Sequence, residues 1–201
     1  MKKLTIVILF FSSLLIPLGA FSQDYSFYIT QAKEYFDKGN YTQAIDSCEK
    51  WLPSLKNKVG ETDTLYLKLI ELAGNCYSSS GQYDKALRSF EELRSAHLKS
   101  AGKNNPGYAS DLNNLADCYY GMGNYELALP FYEEALNIRR ETLGKKHPTY
   151  ARSLSSLAVL YYVMGNYVAA LPLFEEAFTI DKEVLGNRDP LYADDLINLG
   201  T

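Results

Sequence analysis

The sequence predicts an all-α solenoid in which four helical hairpins of 42 residues span 25–192 and the first helix of a fifth occupies 193–201. Two observations carry that prediction. The first is a fixed period. Gly-x-Tyr recurs at Gly39-Asn40-Tyr41, Gly81-Gln82-Tyr83, Gly123-Asn124-Tyr125 and Gly165-Asn166-Tyr167, each 42 residues after the last. A second glycine series (Gly60, Gly102, Gly144, Gly186) and a tyrosine series (Tyr66, Tyr108, Tyr150, Tyr192) keep the same step, and residues 109–150 and 151–192 are identical at 22 of 42 positions without a gap. The second observation is that apolar residues inside each unit recur at helical spacing. Units of this kind cannot bury their apolar faces alone and must stack on one another.

The unit at 25–66 is the most polar. Gln31 and Glu34 stand where later units are apolar or neutral, Cys48 and Trp51 replace a later aromatic and Ala, and Thr64 replaces a later Pro. A terminal repeat needs a polar outer face, so this unit is expected to cap the stack. Units at 67–108, 109–150 and 151–192 follow. In the third, Leu112, Leu115, Ala116 and Tyr119 fall at i, i+3, i+4 and i+7, one face of a helix, and Leu154, Leu157, Ala158 and Tyr161 repeat the stripe. After each Gly-x-Tyr turn comes a second stripe, Ala128, Tyr132 and Ala135, then Ala170, Phe174 and Ala177. Small residues let helix backbones approach while the rings fill the space between them. The pairs Leu143-Gly144 and Leu185-Gly186 are expected to close the second helices, because glycine accepts the left-handed conformation. Pro148 and Pro190 suit the opening turn of the next helix. Leu196, Leu199 and Gly200 match the first-helix stripe of an unfinished fifth unit. The expectation is a fragment of a longer protein, or an open end that meets a partner or a second copy.

Residues 1–22 stand apart from this pattern. Lys2 and Lys3 precede the apolar run Leu4 to Ile16, Pro17 ends it, and Ala20-Phe21-Ser22 supplies small residues at a cleavage site before Gln23. The run is shorter than the roughly 20 residues that cross a bilayer. We read it as a cleaved secretory signal, so residues 23–201 form the mature solenoid and an exported, periplasmic or secreted location is expected, first in bacteria. Removing both lysines takes the formal charge from −4 to −6.

The motifs Ala135-Leu136-Asn137-Ile138-Arg139 and Leu143-Gly144-x2-His147-Pro148-x-Tyr150-Ala151 complete a pattern with Gly-x-Tyr and Ala-x3-Phe/Tyr-x2-Ala. The chain resembles the tetratricopeptide repeat (TPR) family, in its 42-residue kinesin-light-chain subtype, over about residues 25–201. The resemblance implies a right-handed solenoid that binds a protein or peptide segment in a concave groove lined by the first helices. It also offers a second reading, the sensing module of a longer protein with a downstream effector such as a CHAT-like protease or a signalling kinase. A third is self-assembly through the uncapped C-terminal helix.

Composition narrows the rest. At 47% apolar and 22% charged residues the chain is globular, and its scattered Lys and Arg argue against a nucleic-acid or anionic-membrane surface, so no insertion is expected after signal cleavage. With His97 and His147 as the only histidines, and no phosphate loop, dinucleotide fingerprint, His-Glu-x-x-His or nucleophile elbow, no metal, cofactor or catalytic residue is expected. Cys76 and Cys118 occupy equivalent positions of adjacent units. Stacked helices lie about 10 Å apart, beyond disulfide reach, so both are read as buried core residues. The pairs Glu91-Glu92, Glu133-Glu134 and Glu175-Glu176 recur in register and are read as a solvated outer face.

The family's contact positions, carried over by resemblance, select Lys33 and Phe36 in unit one and Glu71 and Asn75 in unit two. Unit three contributes Asn113, Asn114, Asp117 and Tyr120, unit four Ser155, Ser156 and Tyr162, and the partial unit Asn198, with Lys68, Leu72, Ser110 and Arg152 at further contact positions. An Asn amide both donates to and accepts from one peptide unit. Asn113-Asn114-Leu115 resembles the Asn-Asn-Leu that holds peptide backbone in kinesin-light-chain repeats, whereas Glu71-Leu72 and Ser155-Ser156 depart from it. The acidic positions Glu71 and Asp117 favour a ligand with basic residues there and an apolar side chain for Tyr120 and Tyr162.

Overall fold

The computed structural model describes residues 25–184, which form eight α-helices joined by short turns. These are α1 (Tyr25–Asp37), α2 (Tyr41–Val59), α3 (Thr64–Ser79), α4 (Tyr83–Ala101), α5 (Pro106–Gly121), α6 (Tyr125–Thr142), α7 (Pro148–Val163) and α8 (Tyr167–Val184). Each helix packs chiefly on its neighbours in sequence, which is the contact pattern of a solenoid. The hairpins as folded begin at Thr64, Pro106 and Pro148, three residues before the 42-residue units at 67, 109 and 151. The signal at 1–22, the fifth-unit residues 193–201, and Leu185-Gly186, Pro190, Tyr192 and Asn198 lie outside the described residues.

The markers do the work their chemistry suggests. Gly81 has φ 75°, its N–H bonds the Ser78 carbonyl at 3.0 Å, and the Gln82 N–H reaches back to Tyr77 at 2.8 Å. A side chain at that φ would meet its own backbone, so glycine is what lets the chain reverse within one residue. Gly144 does the same after α6, with φ 82°. At the opposite rim the odd helices start on a capping side chain: Asp63 accepts from Leu65 N–H at 2.8 Å, Asn105 from Tyr108 N–H at 3.0 Å and His147 Nδ1 from Thr149 N–H at 3.1 Å. Pro106 and Pro148 then fill the first turn. His147 therefore has a structural role, its ring nitrogen standing in for the usual cap oxygen.

Ala32, Ala44, Ala86, Ala116, Ala128, Ala135, Ala158 and Ala177 are fully buried, and Phe90, Tyr132 and Phe174 fill the space between helices. Gly74 takes the place of Ala116 in the second hairpin, where the Phe90 ring leaves no room for a side chain. A methyl group on Gly74 would lie 2.7 Å from Phe90 Cε1. All three cysteines are free and buried. Cys76 lies beside Cys48 rather than Cys118, the Cys48 thiol donating to the Cys76 sulfur, which pushes the Cys48 thiol up.

One sequence expectation is corrected here. The recurrent glutamates are not merely a solvated face, because one of each pair anchors a tyrosine, buried at Tyr66 and Tyr150 and half-buried at Tyr161. Tyr66 donates to Glu92 at 2.5 Å and Tyr150 to Glu176 at 3.2 Å within a hairpin. Tyr161 donates to Glu133 at 3.0 Å on the preceding hairpin, and Tyr77 to Glu49 at 2.6 Å in the same way. A phenol buried for its ring still needs a partner for its hydroxyl.

Candidate binding groove

The odd-numbered helices supply the groove. Between α1 and α3 a pocket of about 300 Å³ is lined by Ile29, Lys33, Phe36, Lys68, Glu71, Leu72 and Asn75. Lys33, Phe36, Glu71 and Asn75, selected from sequence, thus meet in one concavity, with Ile29 and Leu72 completing an apolar floor. Lys33 is held by Asp37 at 2.8 Å, while Lys68 has no ion-pair partner among the described residues. Burial pushes the Glu71 carboxyl above the usual range, and nearby Asp111 adds to the effect.

Farther along, α5 presents a connected set of polar groups. Asn113 Nδ2 donates to Asp117 at 3.2 Å, and the Tyr132 hydroxyl donates to the same carboxylate at 2.5 Å. Asp117 is open to groove solvent, yet the concave walls around it raise its carboxyl, against the pull of those two donors. Asn114 is half-buried and has no hydrogen-bond partner among the described residues, which leaves its whole amide available. The rings of Tyr120 and Tyr125 lie 5.5 Å apart, those of Tyr162 and Tyr167 5.3 Å, and those of Phe36 and Tyr41 5.6 Å. The groove aromatics are therefore braced by the turn tyrosines, and Tyr162 remains 45% exposed. Ser155 and Ser156 are half-buried on α7.

The even-numbered helices also reach this surface. His97 on α4 meets Asp111 on α5, Nδ1 to Oδ2, at 2.6 Å. Arg139 on α6 donates to Asn113 Oδ1 at 3.2 Å, to Ser110 Oγ at 3.3 Å and to the Ser153 hydroxyl. Arg139, Asp111 and Ser153 are buried.

A family model for the tetratricopeptide repeat matches residues 68–141 and 108–183, and a second tetratricopeptide-repeat model matches 25–47. The chain belongs to the tetratricopeptide-repeat family. Among solved structures, this TPR chain is similar to a Podosopora anserina kinesin light chain protein with nearly identical TPR-like repeats. The TM-score is 0.72 at 21% identity, covering 87% of this chain and 82% of that one. BtubC (BKLC) from P. vanneervenii gives 0.73 at 24% identity, over 84% and 67%. MamA gives 0.58 at 19%, over 80% of each chain. Identities this low carry the fold, here a kinesin-light-chain-like TPR solenoid, and nothing finer. No curated protein matches the sequence.

TPR solenoids are in general protein-binding scaffolds. Among the described residues no group of three His, Cys, Asp or Glu is placed to hold a metal, and no helix is long and apolar enough to cross a membrane. What sequence reasoning missed in this TPR chain is the polar register on the even helices. His97, Arg139 and Asp181 occupy one repeat position, which Leu55 fills in the first hairpin, and all three stand in a stripe otherwise apolar. A polar residue in such a stripe is the signal that could have found them.

That register has a pH consequence. Asp111 raises the His97 pKa above its ordinary 6.5, through their hydrogen bond first and against the opposing effect of burial. Burial raises Asp111 itself, with His97 only partly restoring it. Both groups hold protons more tightly folded than unfolded. Their contribution is fully present below the unfolded pKa values and is lost as pH rises through the folded ones. Stability is therefore expected to fall as pH rises above about 6.5, the ordinary histidine pKa. Urea melts over that rise should show the decline in the native protein and a flatter profile in His97→Leu; equal slopes in both would refute it.

Proposed function

We propose that this TPR protein is an exported, non-catalytic scaffold that holds an extended polypeptide segment along α1, α3, α5 and α7. The observation that supports it most directly is the α1/α3 pocket. An apolar floor rimmed by Lys68, Glu71 and Asn75 suits one apolar side chain flanked by polar groups. The unpartnered Asn114 amide next along the groove can take both hydrogen-bonding groups of one peptide unit. The exposed ring of Tyr162 adds apolar surface at the far end. Export rests on Lys2-Lys3, the apolar run and Ala20-Phe21-Ser22.

A photo-crosslinking amino acid placed at Leu72 or Tyr120, with Arg88 as a control outside the groove, tests this in the native envelope fraction. The expected result is a mature chain beginning at Gln23 that captures a discrete polypeptide from the two groove positions and not from Arg88. Asn114→Ala is expected to weaken binding of that polypeptide about tenfold, the equivalent of about 1.4 kcal/mol. Capture from Arg88 alone, or none from either groove position, would overturn the reading.

A further inference from the structure

We propose that Cys48 and Cys76 form a disulfide as the exported chain folds, joining α2 to α3 and stapling the first hairpin to the rest of the stack. This rests on the export reading above, because disulfides persist in oxidising compartments.

The register of the helices brings the two sulfurs together. At each hairpin junction an even helix packs on the odd helix that follows it, so facing residues grow farther apart in sequence with distance from the connecting turn. Near the turn they are 14 apart, as in His97 with Asp111 at 2.6 Å and Arg139 with Ser153. Farther from it they are 28 apart, as in Glu49 with Tyr77 at 2.6 Å and Glu133 with Tyr161 at 3.0 Å. Leu55 and Leu69 hold the near positions at the first junction. About two turns back along α2 and two turns on along α3 lead to Cys48 and Cys76. These immediately precede Glu49 and Tyr77, whose hydrogen bond fixes the two backbones beside them. Both cysteines are fully buried thiols in one cluster with Ala44 and Ala73. The Cys48 thiol donates to the Cys76 sulfur, so nothing stands between them. Small side chains at these positions permit the close approach a bridge requires, with Cα atoms within about 7 Å.

The later junctions show what these positions hold without a cysteine pair. They carry Phe90 and Cys118 at the second junction and Tyr132 and Leu160 at the third, a ring with a smaller side chain, all buried. At the first junction a second cysteine replaces the ring. Cys118 has Phe90 at the matching position and Ser78 at its sulfur, and is left as a single thiol. The covalent link falls on the hairpin that, among the described residues, has a neighbour on one side alone. Such a terminal repeat is held by a single interface.

The chemistry is thiol–disulfide exchange with a carrier disulfide, either a small molecule or a protein. One cysteine thiolate attacks the carrier, forming a mixed disulfide and releasing one carrier thiol. The other cysteine then displaces the second carrier thiol and closes the Cys48–Cys76 bond. The chain loses two protons and two electrons, and the carrier disulfide takes them up as two thiols. Both sulfurs are sealed once the helices pack, so the exchange takes place as α2 and α3 dock. Closing the loop between them restricts the unfolded chain.

The test maps the thiols of the protein recovered from the native envelope fraction and alkylated in denaturant before any reduction. The expected result is alkylation of Cys118 alone, with tryptic peptides 39–50 and 69–85 joined through Cys48 and Cys76 until they are reduced. Reduction should also lower the urea midpoint of Trp51 fluorescence by about 1 M, the ratio of an ordinary disulfide contribution to an ordinary urea slope. Cys118→Ala should keep both results, and Cys76→Ala should lose the joined peptides and the response to reduction. Alkylation of Cys48 and Cys76 in a chain that begins at Gln23, a bridge through Cys118, or a midpoint unmoved by reduction would overturn the proposal. The same protein is then reduced, unfolded and refolded with oxidised and reduced glutathione. If the recovered chain keeps residues 1–22 and all three thiols yet closes the bridge on refolding, the export reading fails and the disulfide site stands. A chain that begins at Gln23 and closes no bridge in either setting has the opposite meaning.

Discussion

Leu115→Ala is expected to lower stability by about 2–5 kcal/mol, the range for emptying a fully buried leucine site. Leu115 is 0% exposed and belongs to the cluster formed mainly by the first two hairpins, although it stands on α5 of the third. It therefore ties the two halves of the stack together. The loss is a large share of the roughly 5–15 kcal/mol that holds an ordinary domain. Solenoid stability is a sum of repeat and neighbour-interface contributions, so weakening one interface should split the transition as well as shift it. Trp51, the only tryptophan, lies in the first hairpin against Tyr28 with ring centroids 4.0 Å apart. Its fluorescence reports that end, while far-UV circular dichroism reports every helix. In the native chain the two urea transitions should coincide; in Leu115→Ala they should separate. Coincident curves with a loss under about 1 kcal/mol would mean the halves are not coupled through this residue.

Arg139→Leu is expected to do the reverse, raising stability by about 1–3 kcal/mol, as replacement of a buried charge without an ion-pair partner by an apolar side chain can. Leu55 shows that the position accepts leucine: it is fully buried against the hairpin that follows. The substitution removes a desolvated guanidinium whose Nε has no partner. It leaves three oxygens without their donor: Asn113 Oδ1 and Ser110 Oγ are half-buried and water can replace it, while the buried Ser153 hydroxyl keeps its bond to the Thr149 carbonyl. Urea melts measure the gain. A loss of more than about 2 kcal/mol would instead make Arg139 a structural tie between α5, α6 and α7.

How much of this was legible without coordinates differs from residue to residue. The turn glycines and tyrosines announced every even helix, because Gly81 and Gly144 mark conformations that few other residues tolerate, and conformational limits are local. The alanine and ring stripes placed the core correctly for the same reason, since helical spacing alone puts them on one face. The groove list was half legible. Lys33, Phe36, Glu71 and Asn75 meet in one pocket because equivalent positions of stacked helices must adjoin. Register could not reveal which carboxylate is shared, as at Asp117 between Asn113 and Tyr132. The Glu-Glu pairs looked like surface, and their tyrosine partners stand 26 to 28 residues away on other helices. His97 is one of only two histidines, and nothing along the chain shows that Asp111 lies across the hairpin junction from it.

The sequence by itself determined the architecture, the repeat length, the helix boundaries to within a turn and the face of each helix that is buried. All of these follow from backbone constraints and from a periodicity written along one dimension. Only the tertiary structure decided which polar groups satisfy one another across helices, and hence that Arg139 lacks the carboxylate that His97 has. Pairing depends on side-chain reach between packed helices, a separation of a few ångströms that no spacing along the chain records.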